Sequence, residues 1–146
     1  MRRIENHQRF RLRFGEFPDL LFVATDTRTY FDMTHFLQSM KLDPEEKIAE
    51  FTAGFALWID HLGKMYGIPP DERFAVDTAT GHSLAEESFA LPFLCCVDPV
   101  FGVYLVDSMS QMLLTGIACS DSYILMQAQQ RFTHEELLST PNTDKL

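Results

Sequence analysis

The residues that could carry chemistry fall into a few groups, and the first of them is a loop. Thr80-Gly81-His82-Ser83 brings together hydroxyl groups, an imidazole and a flexible glycine, and Asp77 lies just before it. A histidine near a hydroxyl suits general-base activation of a nucleophile. Ser83 also opens Ser-Leu-Ala-Glu, the capping-box pattern of a helix start, and we favour that structural role. His82, Ser83 and Asp77 are kept as candidates for a hydrolase-like site.

The adjacent thiols Cys95 and Cys96 form the second group. A nucleophilic thiolate needs a nearby histidine, and His82 is the candidate partner. The pair stands in the apolar run Phe93-Leu94-Cys95-Cys96-Val97, which favours two small buried side chains instead. With Cys119 the cysteines make an odd count that contains no Cys-x-x-Cys pair. This usage indicates a reducing compartment, and we expect a cytoplasmic protein.

Motifs for cofactors and metals are missing from the sequence. It holds no glycine-rich phosphate loop, no dinucleotide fingerprint, no nucleophile elbow and no zinc-protease helix. No histidine has an i+3 or i+4 histidine, cysteine or carboxylate arrangement that is specific for a metal site. The histidines concerned are His7, His35, His61, His82 and His134. We therefore expect neither a cofactor nor a bound metal.

Arginines alternate with apolar residues near the N-terminus. Arg9, Arg11 and Arg13 are interleaved with apolar residues at period two, the pattern of a strand with one buried face. The first thirteen residues carry a net charge of +4 and the remaining residues carry −13, so that the whole chain has a net charge of −9. Such an acidic body repels phosphates, so we expect no binding to nucleic acid. The arginines are candidates for contact with an acidic partner, although a solvated strand face is the simpler interpretation.

Apolar residues in the second half of the chain supply the other interaction candidates. The chain contains thirteen phenylalanines and seven methionines, and Phe101, Met109 and Met112 lie in a segment that is apolar around most of a helix. A second copy of the chain would cover such a helix, and two-fold pairs are the commonest arrangement. We therefore expect a homodimer. A central helix wrapped by the others is the alternative.

The periodicity of the sequence predicts the elements that must position these residues. Residues 8–14 and 20–25 form a hairpin, and a helical stripe follows at Tyr30, Met33, Leu37 and Met40. Asp43-Pro44 then opens one long helix of about 34 Å that ends at Gly67. Further along, the pattern predicts a short strand at 73–77, a helix from Ser83, a helix from Asp98-Pro99 to Gly116 and another at 121–132. Residues 100–106 would also suit a strand, a helical turn starts at Thr133, and the tail 139–146 is frayed.

Together these patterns predict an α+β fold, a helix-dominated single domain over 1–146 with an N-terminal β-hairpin packed on a helical body; an all-α fold is the alternative. No run reaches the length of a membrane span and no secretory signal is evident, so we expect no membrane contact. The leading function is a small acidic non-catalytic protein–protein interaction module that self-associates. The alternatives are a hydrolase-like enzyme that uses scattered His, Cys and Asp residues, and an acidic nucleic-acid mimic that blocks a nucleic-acid-binding partner.

Overall fold

The computed structural model describes residues 1–5, 7–12 and 18–116. Its contacts divide the chain into two compact units, Met1–Arg13 with Pro18–Gly102, and Phe14–Phe17 with Val103–Leu146. The single domain over 1–146 stays a prediction. Arg13, the helix at 121–132, the turn at Thr133 and the tail at 139–146 lie outside the described residues.

Six strands in the first unit form one curled sheet in the order β1-β5-β6-β4-β3-β2. β1 pairs with β5 in parallel, and all the other pairs are antiparallel. The strands are β1 Arg2–Ile4, β2 Gln8–Leu12, β3 Leu20–Ala24, β4 Thr29–Asp32, β5 Phe74–Asp77 and β6 Ser83–Glu86. Because of this order, the two strands at the ends of the sheet are neighbours along the chain.

The outer face of the sheet carries the main core. Phe22 and Phe31 are register partners on this face, and Phe31 contacts Phe93 of a covering helix at 5.2 Å between ring centroids. Phe36 and Phe51, from two other helices, meet the same Phe93 ring at 6.0 and 5.4 Å. Aromatic pairs at these distances add to the free energy gained from burying apolar area. The inner face of the curl holds a smaller cluster, Ile4, Val23, Tyr30, Ala75 and Leu84.

Five helices and two short 3₁₀ turns are present among the described residues. The turns are Pro70–Glu72 and Glu87–Phe89. The helices are α1 Met33–Ser39, α2 Pro44–Gly54, α3 Ala56–Met65, α4 Ala90–Val97 and α5 Pro99–Thr115. No single helix in this part of the chain is long and apolar enough to cross a membrane. The segment Glu87–Val97 and α5 reach that length and composition only together, and they are bent by 112° where they join.

The α+β class is confirmed, and the all-α alternative is wrong. The hairpin is present as β2 and β3, the short strand as β5, and the segment 100–106 is helical within α5. The hairpin supplies two of the six strands of a larger sheet. Strands β1, β4 and β6 of that sheet were not predicted.

Three predicted helices are corrected. Ser83–Glu86 is strand β6, and Glu86 caps only the following 3₁₀ turn by accepting a hydrogen bond from the amide of Ser88 at 2.8 Å. The helix predicted from the apolar stripe at Tyr30 begins only at Met33, because Tyr30 lies on strand β4. The long helix breaks at Phe55, whose backbone (φ −108°, ψ 20°) leaves helical geometry between α2 and α3.

Candidate functional site

Two buried carboxylates mark a group of titratable side chains in the first unit. Asp32 and Asp77 are both 0% exposed and both lie on the inner face of the sheet. A buried carboxylate is costly unless it is paired and hydrogen-bonded. The side chains that pair with these two carboxylates are Arg9, His7 and His82. We call these five residues the polar cluster.

Asp32 joins a strand, a helix and a loop. It is the last residue of β4 and the N-cap of α1, where its Oδ1 accepts a hydrogen bond from the amide of His35 at 2.8 Å. Its Oδ2 lies 2.8 Å from His82 Nδ1. An ionised carboxylate only accepts hydrogen bonds, so it holds the ring through a protonated Nδ1. This contact fixes the orientation of the imidazole.

Asp77 is held by a tight turn at the end of β5. Its carbonyl accepts from the amide of Gly81 at 2.7 Å, and its Oδ1 accepts from the amide of Ala79 at 3.0 Å. Gly81 has φ +74°, a left-handed conformation that favours glycine, and the turn then places His82 next to the sheet. Asp77 Oδ2 forms an ion pair with Arg9 and lies 3.5 Å from His7 Nε2.

Arg9 links the two halves of the cluster. One guanidinium nitrogen pairs with Asp77, and another lies 3.5 Å from Asp32 Oδ2. The arginine side chain is partly exposed, whereas both carboxylates are fully buried. The predicted solvated strand face therefore holds an arginine that turns inward to contact two buried carboxylates.

The arrangement supplies an oriented imidazole but no nucleophile hydrogen-bonded to it. Among the described residues, no serine, threonine or cysteine side chain hydrogen-bonds to the imidazole of His82. The amide of Ser83 donates to Thr34 Oγ1 at 2.9 Å, and the amide of His82 donates to Thr80 Oγ1 at 3.2 Å. His82 and Asp77 thus share one cluster, and Ser83 is next to it on β6.

Cys95 and Cys96 lie apart from this chemistry, on α4. Both are unbridged and partly buried. Burial raises the pKa of both thiols, and the charge of Glu50 raises that of Cys96 further. The charged neighbours of Cys96 are thus Glu50 and Lys47 on α2, not His82. A thiol with a raised pKa is a poor nucleophile near neutral pH.

The interaction candidates on α5 have different environments. Phe101 is buried, at 8% exposure, in the first unit. Met109 and Met112 lie in the second unit and are exposed, together with their neighbours on the same side of the helix. The exposed fractions are 61% for Val106, 50% for Met109, 47% for Met112 and 81% for Leu113. We call these four residues the α5 stripe.

The remaining surface features are a second apolar face and the arginines of β2. Leu57, Trp58, Met65 and Tyr66 of the α3 region are exposed. Arg11 pairs with Asp19 at 3.3 Å on the surface, and Arg13 lies outside the described residues. In the part of the chain that the structure describes, no three His, Cys, Asp or Glu side chains are grouped so as to hold a metal ion.

Sequence reasoning missed Asp32, His7 and the inward role of Arg9. The sequence did contain one indication of Asp32, since an aspartate directly before the apolar spacing of α1 is the usual helix cap. Nothing in the local pattern of β2 distinguishes Arg9 from Arg11, because their partners are 68 and 8 residues away along the chain. Comparison with protein-family models, with curated proteins and with solved structures finds no match to this chain.

Proposed function

We propose that this protein is an interaction module that self-associates through the α5 stripe. The observation that carries the proposal is the exposure of Val106, Met109, Met112 and Leu113 on one side of a 17-residue helix. These positions recur at the three-, four- and seven-residue spacings of a helix face. Contiguous exposed apolar side chains usually mark a binding surface.

The distribution of charge on α5 favours a second copy of the chain as the partner that covers the α5 stripe. Asp107 is the only charged residue in the helix, and it accepts a hydrogen bond from Gln111 at 2.9 Å. Both residues project from the side opposite the stripe, about 160° away from Met109 at 100° per residue. Two stripes related by a two-fold axis would therefore meet without opposing charges. The unpaired Cys95 and Cys96 are consistent with a reducing compartment such as the cytoplasm.

The test is the solution mass of the full chain and of two charge variants, measured by light scattering across a concentration series. The wild type should approach about 34 kDa, twice the 16.8 kDa of one chain. Met109→Glu buries two like charges in the interface and should give the monomer mass. Gln111→Glu adds the same charge on the opposite side and should remain dimeric. A wild-type monomer at every concentration, or equal effects of the two variants, would overturn the proposal.

A hydrolase-like enzyme is the second candidate, and the hydrogen bond between Asp32 and His82 is the observation that favours it. An imidazole oriented by a buried carboxylate is the usual form of a general base. Generic ester and phosphoester substrates should then be cleaved by the wild type and not by His82→Gln. Equal background rates for the two proteins would remove this candidate.

A further inference from the structure

Two of the four side chains in the α5 stripe carry a sulfur atom that can be oxidised. Met109 and Met112 lie three residues apart, so they are neighbours on the helix, and they are 50% and 47% exposed. Met33, by contrast, is only 1% exposed. A thioether has no proton to lose, so its reactivity depends on access rather than on ionisation. The two stripe methionines are therefore open to an oxidant in the single chain.

The thiols of the first unit give these methionines little protection from a peroxide. Cys95 and Cys96 are partly buried, and burial raises the pKa of both thiols. The thiolate is the form of cysteine that attacks a peroxide, so both side chains react slowly near neutral pH.

Oxidation changes methionine from an apolar side chain into a polar one. A peroxide transfers one oxygen atom to the thioether sulfur: the O–O bond breaks, an S–O bond forms, sulfur loses two electrons to the peroxide, and water leaves. The sulfoxide oxygen is a hydrogen-bond acceptor that an apolar interface cannot satisfy, and burying it is unfavourable. Two stripes that meet about a two-fold axis would bury four such oxygens, because each chain contributes two methionines.

We propose that Met109 and Met112 form a reversible oxidation site that controls self-association. The proposal rests on the proposed function, since it concerns the same α5 stripe. Reduced methionines let the two stripes pack, and sulfoxides keep the chains apart. Because pairing covers the sulfur atoms, a peroxide reaches them in the single chain, and the dimer protects the site increasingly as the protein concentration rises.

The first test is light scattering of the full-length wild type before and after hydrogen peroxide, with peptide mass spectrometry to locate each sulfoxide. Once Met109 and Met112 are sulfoxides, the dissociation constant of the dimer should rise by about a hundredfold or more. Methionine sulfoxide reductases for both sulfoxide epimers should reverse the change. Met33 should stay unoxidised, which shows that the treated protein is still folded.

The second test is the rate of oxidation at each methionine as a function of protein concentration. The rates at Met109 and Met112 should fall as the chain dimerises. Met65 of α3, which is 67% exposed outside the stripe, should be oxidised at the same rate throughout. Equal concentration dependence at all three positions would contradict the proposal.

Two double variants locate the effect. Met109→Leu/Met112→Leu keeps the apolar volume without an oxidisable sulfur, and its dissociation constant should be the same with and without peroxide. Met40→Leu/Met65→Leu removes two exposed methionines outside the stripe and should respond to peroxide as the wild type does. Each variant is compared with its own untreated sample, so an effect of leucine on affinity does not enter the comparison.

The outcomes separate this proposal from the proposed function. A wild type that is monomeric before treatment would overturn the proposed function and the oxidation site with it. A wild type that is dimeric before treatment and remains equally dimeric with both sulfoxides present would overturn the oxidation site alone. Equal responses of the two double variants to peroxide would also overturn it.

Discussion

A single carboxylate, that of Asp32, connects three parts of the first unit. One oxygen caps α1, and the other contacts His82 and Arg9. Replacing one partner of such a buried group leaves the others without compensation, which costs more than the loss of one hydrogen bond. The cap, the oriented imidazole and the ion pair to β2 therefore depend on one another.

The thiols on α4 give the residue-scale prediction. Because the pKa of Cys95 and of Cys96 is raised, each holds less thiolate at a given pH than a free cysteine does. In a Cys119→Ser background, labelling of the native protein near neutral pH should be slow, and its rate should rise at a higher pH than that of a free thiol. The measurement is the rate of a thiol-exchange reagent as a function of pH.

The same protein in denaturant is the control for this labelling experiment, because both thiols should then react at the rate of a free cysteine. Rapid reaction of both thiols in the folded protein would contradict the buried, structural role of the pair. It would also restore the nucleophilic interpretation of Cys95 and Cys96.

At the scale of elements, local patterns predicted those units whose signals are contained within a few residues. The alternation in β2, the Asp43-Pro44 start of α2 and the apolar run of α5 are of this kind. Asp43 does lie at the N-cap, but its side chain makes no capping hydrogen bond, so only part of that argument is confirmed. The β6 strand was missed because its four residues match a helix cap locally, and pairing with β4 and β5 overrides that preference.

The polar cluster was beyond local patterns for the same physical reason. His82 and Asp77 were identified as candidates, since one short turn contains both. Their partners come from distant strands, Asp32 from β4 and Arg9 from β2, and only the curl of the sheet brings them together. A one-dimensional sequence pattern contains no information about that closure.

The helix α3 supports an element-scale prediction about two glycines. A Cβ added at Gly63 would lie 2.5 Å from the guanidinium of Arg73, which crosses the helix there to bond the carbonyl of Ile68 and the carboxylate of Asp60. Gly63→Ala must displace these bonds. Gly54→Ala, at the end of α2, meets nothing within 4 Å. We expect Gly63→Ala to lower the free energy of unfolding by about 1–2 kcal/mol relative to Gly54→Ala.

Chemical denaturation of both variants and of the wild type checks this difference. Gly54→Ala should be neutral or stabilising, because alanine loses less backbone entropy in a helix than glycine does. Equal midpoints for the two variants would mean that Arg73 can move away from the helix without loss.

At the scale of the whole molecule, the charge of the chain is divided very unevenly. The first thirteen residues have a net charge of +4, and the rest has −13. Much of the positive charge is used inside the chain, however. Arg9 contacts the buried carboxylates of Asp32 and Asp77, Arg11 pairs with Asp19, and Arg2 donates to the Tyr30 hydroxyl at 3.5 Å. The basic segment is thus largely explained by structure and is less available to a partner than its composition suggests.

From this distribution of charge we expect no meaningful binding to duplex DNA at physiological salt. Phosphate binding needs several clustered cations that release counterions, and here the arginines already face carboxylates while the acidic majority of the chain repels the duplex. A fluorescence-anisotropy titration should detect no salt-sensitive complex at about micromolar protein concentration. A basic protein of similar size is the positive control. Salt-dependent binding that Arg3→Ala weakens would contradict the prediction and would identify β1 as a nucleic-acid contact.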